Sequence, residues 1–319
     1  MAILLLILAQ IAPIFLVLMM GYAAFALRWV DSAFIVSANK LVFKAALPSL
    51  LFLSVSGADF GTEFPWREIA AFSLAMLLTL AAAWGTGLSL RLPRARLASF
   101  LQGAIRGNFA IIGLAVIEQV LGEASLAWAA VLLAFFLPLH NFVSVAVLTG
   151  FSGGEEEQEH PGRHALRILY RALINPLMVA IYLGAITAVF DIPLPVMLID
   201  ALTYIKRLGL PLALVGIGGS MVAYHNGGHL PLAAGASFFK LLWMPLIAGL
   251  AGYALGLRGE TLTILLVFAG GPTALVSYSL ADAMGGDRDT AGSIVLVSTL
   301  FCFLSLSGII TLLRLLQLA

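Results

Sequence analysis

Residues 106–113 read RGNFAIIG, and they interrupt what is otherwise one apolar run from LASFLQGAI (97–105) to LAVIEQVLG (114–122). A membrane span needs roughly 20 apolar residues. If this one starts near residue 97, Arg106 lies about 14 Å along a helix rising 1.5 Å per residue, close to the bilayer midplane. Gly107 weakens a helix there, and Asn108 competes for backbone hydrogen bonds, so the helix is expected to break. A charge at that depth costs at least about 2.5 kcal/mol and is rarely kept without use.

Composition sets the environment. The 319 residues are 61% hydrophobic and 10% charged, whereas a soluble domain carries about 25% charged residues. A chain so poor in charge cannot cover a water-facing surface, so an integral membrane protein in a lipid bilayer is expected. The net charge of +1 and the lack of a long basic run argue against a nucleic acid partner. Cys302 is the single cysteine, so there is no disulfide framework and no thiolate metal cluster. The apolar N-terminal stretch lacks a basic leader and is longer than a signal-peptide core, and it reads as the first span.

Ten spans are expected, at about 3–27, 33–56, 68–90, 97–121, 125–149, 166–190, 195–222, 231–257, 261–284 and 290–315. The longest polar stretch, SGGEEEQEHPGRH (152–164), divides two copies of one pattern. Pro13, Gly21, Lys44 and Pro48 correspond to Pro176, Gly184, Arg207 and Pro211 at one constant offset. After one inserted residue, Gly107, Glu118, Gly122 and Glu123 correspond to Gly271, Asp282, Gly286 and Asp287. The expected domains are a first five-helix repeat (1–149), a cytoplasmic polar loop (150–165) and a second five-helix repeat (166–319). With five spans per copy the second repeat enters the membrane inverted, as in many secondary transporters. Arg28, Arg91, Arg94, Arg96, Arg163, Arg167 and Arg288 fall on one side and Arg67, Arg258 and Arg314 on the other. The positive-inside rule then puts both termini outside.

The ninth span holds the counterpart break, AGGPTALVS (269–277), where Gly270, Gly271 and Pro272 open the helix more forcibly. Unpaired backbone at membrane depth survives only in a protein interior or a wet cavity, so the two breaks should meet. The half-helix N-termini beyond them suit an anion. Arg106, Gly107, Asn108, Asn141, Gly271, Pro272, Thr273 and Ser277 are the candidate substrate-binding residues. Asn175 and Ser279 offer similar hydrogen bonds, and each such side chain fits helix–helix contact equally well. Lys40, Lys44, Lys206, Arg207 and Lys240 also lie inside expected spans, and this surplus of positive charge favours an anion over a cation. Glu118 and Asp282 are candidates to carry a proton or coupling ion, although their place near span ends also fits simple helix-end solvation. His225 and His229, in HNGGH, are spaced like metal ligands, but the glycines between them argue for a flexible loop. No catalytic pair, metal site or cofactor motif emerges.

The stretch RGNFAIIGLAVIEQVLG (106–122) resembles the fourth-span motif of the auxin efflux carrier family, which includes bacterial malonate-type permeases and the plant PIN carriers. NKLVFKAALPSLLF (39–52), LINPLMVAIYLG (173–184) and GGPTALVSYSLADAMGGDRDTA (270–291) resemble its second, sixth and ninth spans. The resemblance implies an all-α, ten-helix, five-plus-five inverted repeat like that of the bile-acid sodium symporters, with broken helices 4 and 9 crossing at the substrate site. It implies a scaffold of spans one, two, six and seven, a moving unit formed by the rest, and a homodimer through helices 2 and 7. It matches Asn108 and Pro272 to the crossover asparagine and proline, while Gly107–Asn108 stands where a fourth-span proline would be. The function expected is secondary transport of a small organic anion, coupled to H+, to Na+ or to neither, in a bacterial inner membrane. A sodium-coupled bile-acid-like symporter is the alternative, with a channel or a receptor behind it.

Overall fold

The computed structural model describes residues 2–57, 64–151, 170, 174–223 and 229–318, and these residues form helices joined by short turns, with no strand among them. Helix α1 runs Ala2–Ala26 and α2 Ser32–Ser56, started by the Asp31 carboxylate, which accepts the Phe34 N–H at 2.7 Å. Helix α3 is Trp66–Ser89, α4 Arg94–Ile105, α5 Phe109–Leu121 and α6 Ser125–Phe151. Helix α7 is Pro176–Val189, with Asn175 accepting the N–H groups of Leu177 and Met178 and Pro176 in the first turn. Helix α8 is Val196–Ala223, α9 Leu230–Ala254, α10 Gly259–Gly270, α11 Val276–Ala283 and α12 Arg288–Leu315.

Seven of these, α1, α2, α3, α6, α8, α9 and α12, are long and apolar enough to cross a membrane. Three more, α5, α7 and α10, are apolar but shorter. The fourth expected span is divided into α4 and α5 by an extended segment at Arg106–Asn108, and the ninth into α10 and α11 around Gly271–Thr273. Of the expected sixth span, the helix is described from Pro176 onward. The polar stretch 152–164, residues 166–169 and 171–173, and His225 lie outside the described residues.

Two long helices widen locally for the same reason. A π-type turn spans Val42–Ala46, two residues ahead of Pro48, and another spans Phe239–Trp243, two residues ahead of Pro245. A proline has no N–H to give the carbonyl four residues back, and its ring clashes with it. The looser turn absorbs that misfit, and each carries a lysine, Lys44 or Lys240.

Helix α1 packs chiefly on α8, and α2 on α7 and α8. Helices α3, α4 and α9–α12 pack chiefly on one another, and α6 packs on α4. Lipid tails are as apolar as leucine, so helices hold together by close approach rather than by escape from water. A Cβ on Gly21 of α1 would lie 2.6 Å from the Cα of Val215 in α8. One on Gly184 of α7 would lie 2.9 Å from the Phe52 carbonyl in α2. Each of these glycines follows a proline by eight residues, and each lets two helices approach closely. Leu5, Met19, Met197, Phe301 and many other large apolar residues are exposed. So broad an apolar surface suits lipid and would not stay dispersed in water.

Candidate functional site

The two breaks meet. Arg106 ends α4 in an extended conformation (φ −76°, ψ 114°), and Gly271 ends α10 in another (φ −64°, ψ 156°). Gly107 and Thr273 form an antiparallel bridge between the segments. The Asn108 N–H donates to the Pro272 carbonyl at 2.8 Å, and the Ala274 N–H donates to the Arg106 carbonyl at 3.3 Å. Proline is suited to its place because only its carbonyl is required.

Side chains brace the bridge from both sides. Thr273 gives its hydroxyl to the Gly103 carbonyl at 2.8 Å and its N–H to Ser298 Oγ of α12 at 3.0 Å. His140 Nε2 lies 2.8 Å from the Ile105 carbonyl. A carbonyl can only accept, so that nitrogen carries the proton. Below the break Phe109 packs edge-on to His140 (4.6 Å, 89°) and to Phe268 (5.5 Å, 67°), while Phe72 stacks on Phe136 (3.9 Å, 11°). This aromatic cluster anchors the start of α5, whose first turn Phe109–Gly113 is π-type, with the Gly113 N–H reaching back to the Asn108 carbonyl at 3.0 Å.

Among the described residues the buried charges beside the breaks, Arg106 and Lys240, are both basic. Arg106 is 7% exposed; its Nη2 donates to Asn141 Oδ1 at 2.7 Å, while Nε and Nη1 are buried with no hydrogen-bond partner. Lys240 is fully buried and donates from Nζ to the Ala269 carbonyl in the last turn of α10. A cation there complements the negative end of the half-helix. Among the described residues neither base has a carboxylate within 4.0 Å. The side-chain partner that Arg106 does have is an amide, that of Asn141.

Both polar atoms of the Gln102 side chain, one turn before Arg106 on α4, are buried without partners, as is Ser277 Oγ in the first turn of α11. A buried polar group costs about 1–3 kcal/mol when unpaired, so the Gln102 amide beside Arg106 is left for a polar guest to satisfy.

The structure thus groups Arg106, Gly107, Asn108, Asn141, Gly271, Pro272 and Thr273 around one bridge, with Ser277 buried in the first turn of α11. The N–H groups of Asn108 and Thr273 themselves are taken up by the Pro272 carbonyl and Ser298 Oγ. The donors left over are Arg106, Gln102 and the first-turn N–H groups after Asn108. Glu118 and Asp282 stand apart from the bridge. Glu118 is half-buried late in α5, and Asp282 is exposed, with an oxygen 3.7 Å from Arg288. Gln102 escaped notice in the sequence, although an amide four residues before an arginine shares its helix face.

A family model described as membrane transport protein matches residues 6–310. An uncharacterized transporter of Methanothermobacter thermautotrophicus is 25% identical over 278 residues, covering 84% of this chain and 85% of the relative.

Proposed function

The chain belongs to that family, the auxin efflux carriers, and we propose that it is a secondary transporter of a small organic anion working by alternating access. The carrying observation is the pair of buried bases, Arg106 and Lys240, at the meeting of two helix breaks with no carboxylate beside them among the described residues. A carboxylate bound between the breaks would take the two open Arg106 nitrogens and the Gln102 amide. Asn141 holds the guanidinium in place, and Lys240 supplies a second, fixed positive charge behind the bridge.

The architecture we propose is a ten-span, five-plus-five inverted repeat in which α4–α5 and α10–α11 are the two broken, crossing spans. The matching roles of Gly21 and Gly184 support this repeat. Helices α1, α2, α7 and α8 would be the scaffold, and the remainder would carry the bound anion past it. The packing preferences of these helices support that division. Lys44 and Arg207 are exposed within α2 and α8. Lipid tails offer them no partner, which supports a homodimer through those helices. Both termini would lie outside a bacterial inner membrane. Glu118, half-buried, is better placed than exposed Asp282 to carry a coupling proton.

The test is uptake of radiolabelled malonate and succinate into proteoliposomes, with sodium or choline outside. Saturable uptake with counterflow is expected, falling at least a hundredfold in Arg106→Gln while thermal unfolding stays cooperative. Unsaturable flux would indicate a channel, and binding without flux a receptor. Uptake that requires sodium would favour the bile-acid-like symporter reading. Full uptake by Arg106→Gln would overturn the assignment.

A further inference from the structure

A cavity of about 820 Å³ lies well away from the helix breaks. It opens where α2 and α7 end and α6 and α8 begin, between the proposed scaffold and the proposed moving unit. About half of its wall is apolar, from residues such as Leu53, Val131 and Ile199. Lys206 of α8 reaches into its lining, and the side chain is only 14% exposed. Its ammonium is bound to the Glu123 carboxylate, which sits on the turn between α5 and α6 and is 68% exposed. That contact holds the Glu123 carboxyl below the usual carboxylate range, by the hydrogen bond first and by charge second. Two other lining residues, Ser54 and Trp128, have buried polar atoms (Oγ and Nε1) without partners. Those two atoms face the protein interior, so the cavity itself combines a cation with apolar walls and the Trp128 ring.

We infer that this cavity is a second anion site, in which the carboxylate of a small organic acid replaces Glu123 on Lys206 and lays its apolar part against Trp128. The inference rests on the carrier reading above and adds an entry site to it. Glu123 acts as a resident competitor. Because it belongs to the moving unit and Lys206 to the scaffold, its displacement also frees one ionic tie between them. The counterpart of Lys206 in the first repeat is Phe43, so only one face of the protein has this tie.

The experiment reads tryptophan emission of the purified full-length protein titrated with potassium phenylacetate or potassium malonate, against potassium chloride at matched ionic strength. It is run on wild type and in the Arg106→Gln background, which removes the charge at the helix breaks. Expected is a saturable change that Trp128→Phe abolishes and Arg106→Gln leaves in place. Glu123→Gln should tighten binding about two- to fivefold, because an exposed ion pair is worth up to about 1 kcal/mol. Lys206→Gln should weaken it at least tenfold, and Lys206→Arg should retain it, which separates a lost ligand group from a misfolded protein. No Trp128-dependent change, a change insensitive to Lys206→Gln, or weaker binding in Glu123→Gln would overturn the inference. Uptake assays on the same preparation separate the two claims. Saturable uptake without a Trp128 response sinks the entry site alone, and a Trp128 response without uptake sinks the carrier reading alone.

Discussion

Replacing Asn141 with aspartate changes an amide to a carboxylate of nearly the same shape and offers Arg106 a permanent counter-ion. The native contact, Arg106 Nη2 to Asn141 Oδ1, is 2.7 Å, so the charge centres would stand about 4 Å apart. At an effective dielectric near 20, that is an attraction of about 4 kcal/mol. Desolvating the new carboxylate takes back part of it, because Asn141 is half-buried. A charge-assisted hydrogen bond exceeds a neutral one by about 1–2 kcal/mol net. Asn141→Asp should therefore unfold about 2–6 °C higher than wild type. An anionic substrate must now displace a built-in carboxylate, and its affinity should fall by between one and three powers of ten. Thermal unfolding in detergent and malonate uptake in proteoliposomes measure the two effects side by side. A more stable protein that no longer transports is the expected result. Uptake with an unchanged KM would show that Arg106 does not meet the substrate, and a lower unfolding temperature would show that it does not lack a counter-ion.

Lys240→Met, which keeps the volume beside Met244 but strands the Ala269 carbonyl, trades a loss of about 1–3 kcal/mol against relief from burying an uncompensated charge. Its unfolding temperature should match or exceed that of wild type while uptake falls more than tenfold; full uptake would take Lys240 out of the anion's attraction. In Gly107→Ala the new methyl would sit 2.7 Å from Phe109 Cζ, costing about 1–3 kcal/mol. The cost should shrink when Phe109 is first replaced by leucine, and equal costs in both backgrounds would exclude the clash. The half-buried Asp287 caps α12 through the Thr290 N–H (2.7 Å) and pairs with Arg96. Burial works to raise its carboxyl, but Thr290 and Arg96 outweigh it and hold the group below the usual range. Its stabilisation is then complete above the unfolded carboxylate value and fades as pH falls through the lower folded one. Asp287→Ala should cost about 1 kcal/mol near neutrality and nothing in strong acid, as unfolding temperatures across pH 2–7 would reveal.

The helix breaks were legible because their causes are local. Glycine, proline and asparagine change backbone preference wherever they stand, and Arg106 advertised itself by contrast with its neighbours. The doubled pattern of Pro13–Gly21 and Pro176–Gly184 could likewise be read directly, since both copies sit in one chain. What could not be read was pairing. That Asn108 and Thr273 spend their N–H groups on Pro272 and Ser298 depends on how two remote segments approach. Lys206 read as a charge inside the seventh expected span and Glu123 as one just past the fourth, and nothing in their spacing joins α8 to the turn after α5. The widened turns before Pro48 and Pro245 were also invisible, because a proline announces a misfit but not the way the helix absorbs it.

The bridge between Gly107 and Thr273 has a consequence for how the protein is made. Its two rungs tie the fourth segment to one synthesised roughly 160 residues later. At about 5–20 residues per second, the interval is on the order of 10–30 s. Throughout it the Arg106 carbonyl and the Asn108 N–H must find temporary partners, from water, lipid headgroups or the insertion machinery. The first half of the chain therefore cannot reach its final form alone. Assembly has an obligatory waiting period, and it ends when the second half arrives.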